Sequence, residues 1–76
     1  MNEWIVTAPD ILGGKPHVRG TRLSVEFLLE LLASGGSRAE ILEAYPQLTD
    51  DGLTAALTYA AKALKNEIVW DVQISA

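Results

Sequence analysis

The sequence contains no cysteine and only one histidine among its 76 residues. Without cysteine the chain forms no disulfide and no thiolate metal site, and a single histidine has no second imidazole with which to share a metal. We therefore expect apolar packing or oligomerisation to stabilise the fold, and no metal or cofactor to be bound. The lack of cysteine also fits the cytoplasm, which is the localisation we expect.

Long apolar runs are missing as well. No segment approaches the roughly 20 apolar residues that a membrane span requires, and the N-terminus lacks a basic leader. We expect no membrane contact. A chain of 76 residues makes a single domain, 1–76, with little interior for a deep cleft. For that reason we expect no enzyme activity and assign no catalytic residue.

Basic residues are scarce, since six Lys and Arg stand against ten Asp and Glu, for a net charge of −4. Affinity for a phosphate backbone depends on many cationic contacts, so this balance excludes diffuse binding to DNA and leaves only a focused patch. Half of the cations lie with the histidine in one glycine-rich segment without acidic residues, 13–25. Its side chains are the candidates for binding a partner or an anion: Lys15, His17, Arg19 and Arg22.

This basic segment does not match a nucleotide-binding loop. The Gly-Gly-Lys sequence at 13–15 lacks the spacing of a Walker motif, and no dinucleotide fingerprint is present. Two interpretations of Arg19 and Arg22 stay open. Either guanidinium pairs with Glu26 or Glu30 on the helix that follows, or it faces a phosphate or carboxylate of a partner.

Short β elements are predicted over residues 1–23, which form an arm around the basic loop. The β-branched residues at 4–7 precede a proline and are typical of a strand. The apolar residues at 11–12 and 16–18, separated by two glycines, predict a small hairpin or an extended arm.

Helical periodicity occupies residues 24–65. Glycines at 35–36 end the first helix, Glu40 completes a capping box in the short second helix, and the third helix runs to about Lys65. Each helix begins after a residue suited to its N-cap: Ser24, Ser37 and Thr49. Three helices over this span predict a mainly α fold with a trihelical, helix-turn-helix or homeodomain-like core.

The third helix is poorly suited to reading DNA, because its first turn carries Asp50 and Asp51 where base contacts normally start. Beyond it, apolar and polar residues alternate over 66–76, which predicts a strand-like tail that pairs within the chain, with a second copy or with another protein. The hydrophobic content of 49% favours a homodimer or an obligate partner over a free monomer. The apolar candidates for partner or oligomer contacts are Trp4, Trp70, Val72 and Ile74.

Three sequence elements occur in order along the chain: Gly-Lys-Pro at 14–16, Arg-Gly-Thr-Arg at 19–22 and Tyr-Pro-Gln-Leu-Thr at 45–49. With the residues around them, over roughly 4–61, they resemble the bacterial and archaeal family called domain of unknown function 433. The resemblance implies a homeodomain-like, three-helix fold and an antitoxin role, since members are encoded next to a small PIN-like, nuclease-type toxin. It implies no catalytic residues.

Two features depart from that family. Gly52 stands where the family usually has an acidic or polar residue, which we expect to weaken the start of the third helix, and the tail is more strand-like than a charged helical ending.

Three functions follow as expectations. The first is a non-enzymatic, antitoxin-like protein that binds a PIN-like nuclease, inserts Arg19 or Arg22 among its metal-binding carboxylates, anchors the tail through Trp70 and binds DNA weakly to regulate its own gene. The second is a DNA-binding transcriptional regulator without a toxin partner. The third is a structural homo-oligomer in which the basic arm is tied down within the chain.

Overall fold

The computed structural model describes residues 3–65, which form two short strands followed by three helices. The elements are β1 (Ile5–Val6), β2 (His17–Val18), α1 (Val25–Ala33), α2 (Arg38–Ala44) and α3 (Asp50–Lys65). The fold is therefore mainly helical with a small antiparallel sheet, as the sequence predicted. Within this part of the chain, no helix is long and apolar enough to cross a membrane.

The sheet pairs β1 with β2, so that Ile5 lies opposite Val18 and Val6 opposite His17. An N-terminal β element is thus confirmed. Of the two predicted forms, the hairpin between 11–12 and 16–18 is not formed, because His17–Val18 pairs with the strand predicted at 4–7. Residues 12–14, between the strands, form a 3-10 turn. All three have a positive φ, between 53° and 87°, and this left-handed conformation is incompatible with a strand.

A tight loop connects β2 to α1 and carries the arginines at 19 and 22. Gly20 has a φ of 79°, which permits the turn in which the backbone N–H of Thr21 donates to the carbonyl of Val18 at 3.0 Å. The Thr21 hydroxyl donates to the same carbonyl at 2.8 Å and accepts from the backbone N–H of Leu23 at 3.0 Å. These bonds fix the backbone on both sides of Gly20.

All three predicted N-caps are present. The Ser24 hydroxyl accepts from the backbone N–H of Phe27 at 2.9 Å, and the Thr49 hydroxyl accepts from Gly52 at 3.0 Å. Ser37 and Glu40 form the complete capping box predicted for α2. The side-chain caps predicted from the sequence therefore mark where each helix begins.

α1 ends in a Schellman motif. The backbone N–H of Gly35, whose φ is 104°, donates to the carbonyl of Leu32, and that of Gly36 donates to Leu31. The glycines predicted to stop the first helix thus satisfy two of its last carbonyl groups.

The core lies between α1, α3 and the sheet. α1 packs on α3, and α3 also packs on both strands. Leu28 and Leu53 are fully buried at the helix contact, and Val18, in β2, is 2% exposed. Burial of each such side chain stabilises the fold by about 1.5–3 kcal/mol relative to exposure. The predicted strand in the tail, with Trp70, Val72 and Ile74, lies outside the described residues.

Candidate partner-binding site

Lys15 forms an ion pair on the surface of the basic loop. Its Nζ lies 2.9 Å from Oε1 of Glu26 on α1, and both side chains are more than half exposed. The hydrogen bond that the Lys15 ammonium donates to Glu26, followed by the charge of that carboxylate, raises the pKa of Lys15 above its usual value. The positive charge of Lys15 is therefore compensated within the chain.

Arg19 is exposed and tied to the start of the described chain. Its Nε donates to the carbonyl of Glu3 at 2.8 Å, and its backbone N–H donates to the carbonyl of Trp4 at the same distance. Trp4, a predicted contact residue, is half-buried and packs against the core. These contacts hold Arg19 against the N-terminal segment. The ion pair with Glu26 or Glu30, one of the two interpretations of Arg19, is not formed.

Arg22 is exposed and differs from both neighbouring cations. Within residues 3–65, its guanidinium makes no ion pair and no side-chain hydrogen bond. It therefore retains a full set of donors for a group outside the chain.

His17 lies beneath the loop surface and is only 2% exposed. Its Nδ1 is 3.1 Å from the carbonyl of Lys15, a contact in which the imidazole donates from Nδ1. His17 was predicted as a candidate for binding a partner or an anion, and its burial keeps its side chain from the surface where such a group would bind. The alternation along β2 does not explain this burial, because Val18 is buried too. The strand pairs with β1 and packs against α3, so both of its side chains are enclosed.

A shallow groove of about 570 Å³, here called the Arg22 groove, runs from the basic loop along α1. Its principal lining residues are Leu12, Arg22, Glu26, Phe27, Glu30 and Tyr45. The ring of Phe27 meets that of Tyr45 edge-on, with centroids 5.9 Å apart. Neither aromatic residue is among the site candidates predicted from the sequence. The signal was available, because Phe27 is a large apolar residue outside the apolar face of α1 formed by Val25, Leu28, Leu29 and Leu32.

A second, smaller groove of about 230 Å³ lies between α1 and the end of α3. It is lined mainly by apolar side chains, among them Leu29, Tyr59 and Leu64. Lys15 and Glu26 line both grooves. Their ion pair therefore separates the apolar groove from the Arg22 groove.

The guanidinium of Arg38 binds residues at the start of α3. Nε of Arg38 donates to Oδ1 of Asp50 at 2.8 Å, Nη2 donates to the Asp50 carbonyl at 3.0 Å, and Nη2 also contacts the Thr54 hydroxyl. Asp51, next to this network, is exposed. The first turn of α3 thus presents acidic groups to solvent. Across residues 3–65, no group of three or more His, Cys, Asp or Glu is arranged to hold a metal.

These elements define a small, mainly helical domain with a two-stranded N-terminal sheet and a basic loop that leads into α1. The chain belongs to the family described as "Protein of unknown function (DUF433)", whose sequence profile matches residues 5–60. The matched region contains the β-arm, the basic loop and nearly all of the three helices. Family membership, predicted from the order of three short sequence elements, is thereby confirmed.

The chain is similar to two further proteins. Over 58 residues it is 43% identical to "Uncharacterized protein y4eO" of Sinorhizobium fredii (strain NBRC 101917 / NGR234), a match that covers 76% of this chain and 26% of the relative. A crystal structure of a DUF433 member protein from Anabaena variabilis ATCC 29413 is similar with a TM-score of 0.78 and 32% identity, covering 83% of this chain and 62% of that one. The chain thus spans about a quarter of the first relative and less than two thirds of the second.

Proposed function

We propose that this protein is a non-enzymatic, antitoxin-like module that binds and neutralises a PIN-like nuclease. The observation that carries the proposal is the exposed guanidinium of Arg22, which has no partner within residues 3–65 although acidic residues outnumber basic ones in the chain. An uncompensated cation on an anionic protein is complementary to an acidic site on a partner.

The chemistry of such a nuclease suits a guanidinium. PIN-like nucleases collect carboxylates around a divalent metal, and the metal activates water for hydrolysis. The planar guanidinium of Arg22 offers parallel N–H donors that match a carboxylate in a bidentate pair. Inserted among these carboxylates, it competes with the metal for the same negative charge. The nuclease then loses the metal on which its catalysis depends.

The loop around Arg22 supports this role because its backbone is held in advance. The hydrogen bonds of Thr21 and the cap at Ser24 fix the chain on either side of Arg22. A loop that is ordered before binding loses less conformational entropy when the complex forms. In this proposal Arg19 lies at the edge of the contact, and Lys15, paired with Glu26, is not inserted.

DNA binding is at most a weak, autoregulatory accessory of this function. If the three helices act as a homeodomain-like unit, α3 is the helix that enters the groove, and its first turn presents Asp50 and Asp51. The nearest cation, Arg38, is held by Asp50. We therefore favour a protein partner over a promoter, and the cytoplasm, where an antitoxin meets its nuclease, as the site of action.

The proposal is tested by co-expression with the protein encoded beside the gene of this chain, followed by affinity capture and a nuclease assay. We expect a complex with an inactive nuclease. Arg22→Ala should weaken the complex by about 10-fold or more and restore nuclease activity, as loss of a central interface arginine does. Lys62→Ala, which removes the same charge from an exposed position on α3, is the matched control and should bind like the unmodified protein.

Three outcomes would overturn the proposal: a neighbouring protein without clustered carboxylates, no complex, or undiminished binding by Arg22→Ala. Steeply salt-dependent, sequence-selective binding to the chain's own promoter, with no nuclease complex, would assign the protein to the transcriptional regulators instead.

A further inference from the structure

The Arg22 groove is lined by an exposed aromatic ring as well as by the unpaired guanidinium. Phe27 is 36% exposed and, with Leu64, is one of two large apolar side chains exposed within residues 3–65. It is fixed at the start of α1, where its backbone N–H donates to the Ser24 hydroxyl, and its ring rests against Tyr45. Rigid aromatic side chains next to an arginine are the residue types that dominate binding energy at protein interfaces.

A third apolar side chain in the same groove, that of Leu12, belongs to a residue with a strained backbone. Leu12 has a φ of 53°, the left-handed conformation that costs a residue other than glycine about 1–2 kcal/mol. The glycines at 13 and 14 share this conformation without that cost. Because Leu12 is only half-buried and stands apart from the core cluster, packing in the fold does not account for a leucine here. Its side chain lines the Arg22 groove, where it adds apolar surface beside Phe27.

The charges along the groove restrict what fits it. Glu26 is neutralised by Lys15, so the uncompensated groups are Arg22 at the loop and Glu30 further along α1. A bound segment thus meets the cation of Arg22 at the loop, an apolar patch in the same groove and the carboxylate of Glu30 further along α1. Buried contact with that patch strengthens the ion pair at Arg22, because it removes water from around the guanidinium.

We infer that the Arg22 groove is the docking surface for a segment of the partner protein that presents an apolar side chain next to a carboxylate. The apolar side chain packs on Leu12, Phe27 and Tyr45, and the carboxylate pairs with Arg22. This inference rests on the proposed function, whose nuclease supplies the segment. It extends that function by naming the apolar contact that anchors the arginine.

The test places the photoreactive residue benzoylphenylalanine at position 27 or, as the matched control, at position 64, and irradiates each protein with the neighbouring nuclease. We expect a cross-linked product with the nuclease from position 27 and little from position 64. Mass spectrometry of that product should find the cross-link on an apolar segment that also contains Asp or Glu.

Affinity measurements with truncated side chains complete the test. Phe27→Ala should weaken the complex by about 10-fold while Leu64→Ala leaves it unchanged, with thermal melts to verify that both variants are folded. If the melt of Phe27→Ala is impaired, Phe27→Leu retains apolar bulk and should bind with intermediate affinity.

The outcomes separate this inference from the proposed function. A complex that is sensitive to Arg22→Ala but gives no cross-link from position 27 overturns the docking surface alone. Absence of any complex overturns the proposed function and the docking surface with it. A cross-linked product of twice the mass of this chain would assign the groove to a second copy and also overturn the inference.

Discussion

The ammonium of Lys15 lies 2.9 Å from the carboxylate of Glu26, eleven residues further along the chain. This pair joins the start of the basic loop to the first turn of α1 and removes Glu26 as a partner for the arginines. Arg22 is left as the loop cation whose guanidinium has no bond within residues 3–65. The surface chemistry of the loop therefore depends on which of its cations pairs with Glu26.

The first prediction concerns the pH dependence of that ion pair. The pKa of Lys15 is raised in the folded state, so the folded protein holds this proton more tightly than the unfolded chain does. Its stabilising effect is fully present below the ordinary value of 10.5 and is lost as the pH rises through the higher value of the folded state. Lys15→Met should thus lower the Tm slightly at pH 7, and the difference should vanish at strongly alkaline pH.

Thermal melts of both proteins across the pH range check this. Added salt should shrink the difference at pH 7, because both partners are exposed and salt screens their attraction. Lys62→Met, at a lysine without an ion pair within residues 3–65, is the control. A difference in Tm that grows with pH would contradict the prediction.

The second prediction concerns the contact between α2 and α3. Arg38 uses one guanidinium to reach the carboxylate and carbonyl of Asp50 and the hydroxyl of Thr54. Because its side chain is 39% exposed, solvent weakens the pair, and Arg38→Ala should lower the free energy of unfolding by about 1 kcal/mol or less.

Urea denaturation measures this loss. Arg38→Lys should recover little of it, since a single ammonium cannot reproduce the forked geometry. Full recovery by lysine would show that charge alone maintains the contact.

Local signals explain how much of the fold the sequence predicts. The N-caps at Ser24, Ser37 and Thr49 act within three residues of the groups that they bind, so periodicity and cap residues locate all three helices. The sequence left the form of the N-terminal sheet open between a hairpin and an arm, because Ile5 and Val18 meet across a long connection whose left-handed turn has no unique sequence signature.

The candidate site is less predictable for the same reason. The composition of the basic loop identifies Lys15, Arg19 and Arg22 as one group, but their partners come from distant parts of the chain. The sequence spacing predicted Glu26 as an ion-pair partner for Arg19 or Arg22. In the fold, Glu26 pairs with Lys15 instead. The burial of His17 could not be predicted either, because it depends on the tertiary packing of β2 against α3.

The third prediction concerns the effect on stability of replacing the glycine at position 52. A Cβ there would lie 3.2 Å from Cγ1 of Val18, which is buried in the sheet, and 3.2 Å from the capping hydroxyl of Thr49. Alanine normally stabilises a helix by about 1 kcal/mol relative to glycine. At this site the overpacking cost, about 1–3 kcal/mol in well-packed cores, should exceed that gain.

Gly52→Ala should therefore reduce the free energy of unfolding by about 1 kcal/mol in urea denaturation. The exposed residue Ala61, on the same helix, provides the control, since Ala61→Gly should be destabilising by about 1 kcal/mol from propensity alone. A stabilised Gly52→Ala variant would mean that Val18 moves aside at little cost.

The fourth prediction separates stability from binding at Leu12. Because its φ is 53°, alanine at this position retains the left-handed strain, whereas glycine removes it. Leu12→Gly should therefore be more stable than Leu12→Ala by about 1 kcal/mol, the reverse of the order found in helices. Both variants lose the apolar side chain that lines the Arg22 groove, so both should bind the nuclease more weakly and to a similar extent.

Urea denaturation and affinity measurements on the same two variants distinguish the effects. If Leu12→Ala is the more stable variant, the backbone at this position is not strained, and the leucine needs no functional explanation. If the stability order holds but binding is unchanged in both variants, the strain is real and the apolar side chain does not contact the partner. Only the combination of relieved strain and weakened binding supports the view that the fold gives up stability at Leu12 to place an apolar side chain beside Arg22.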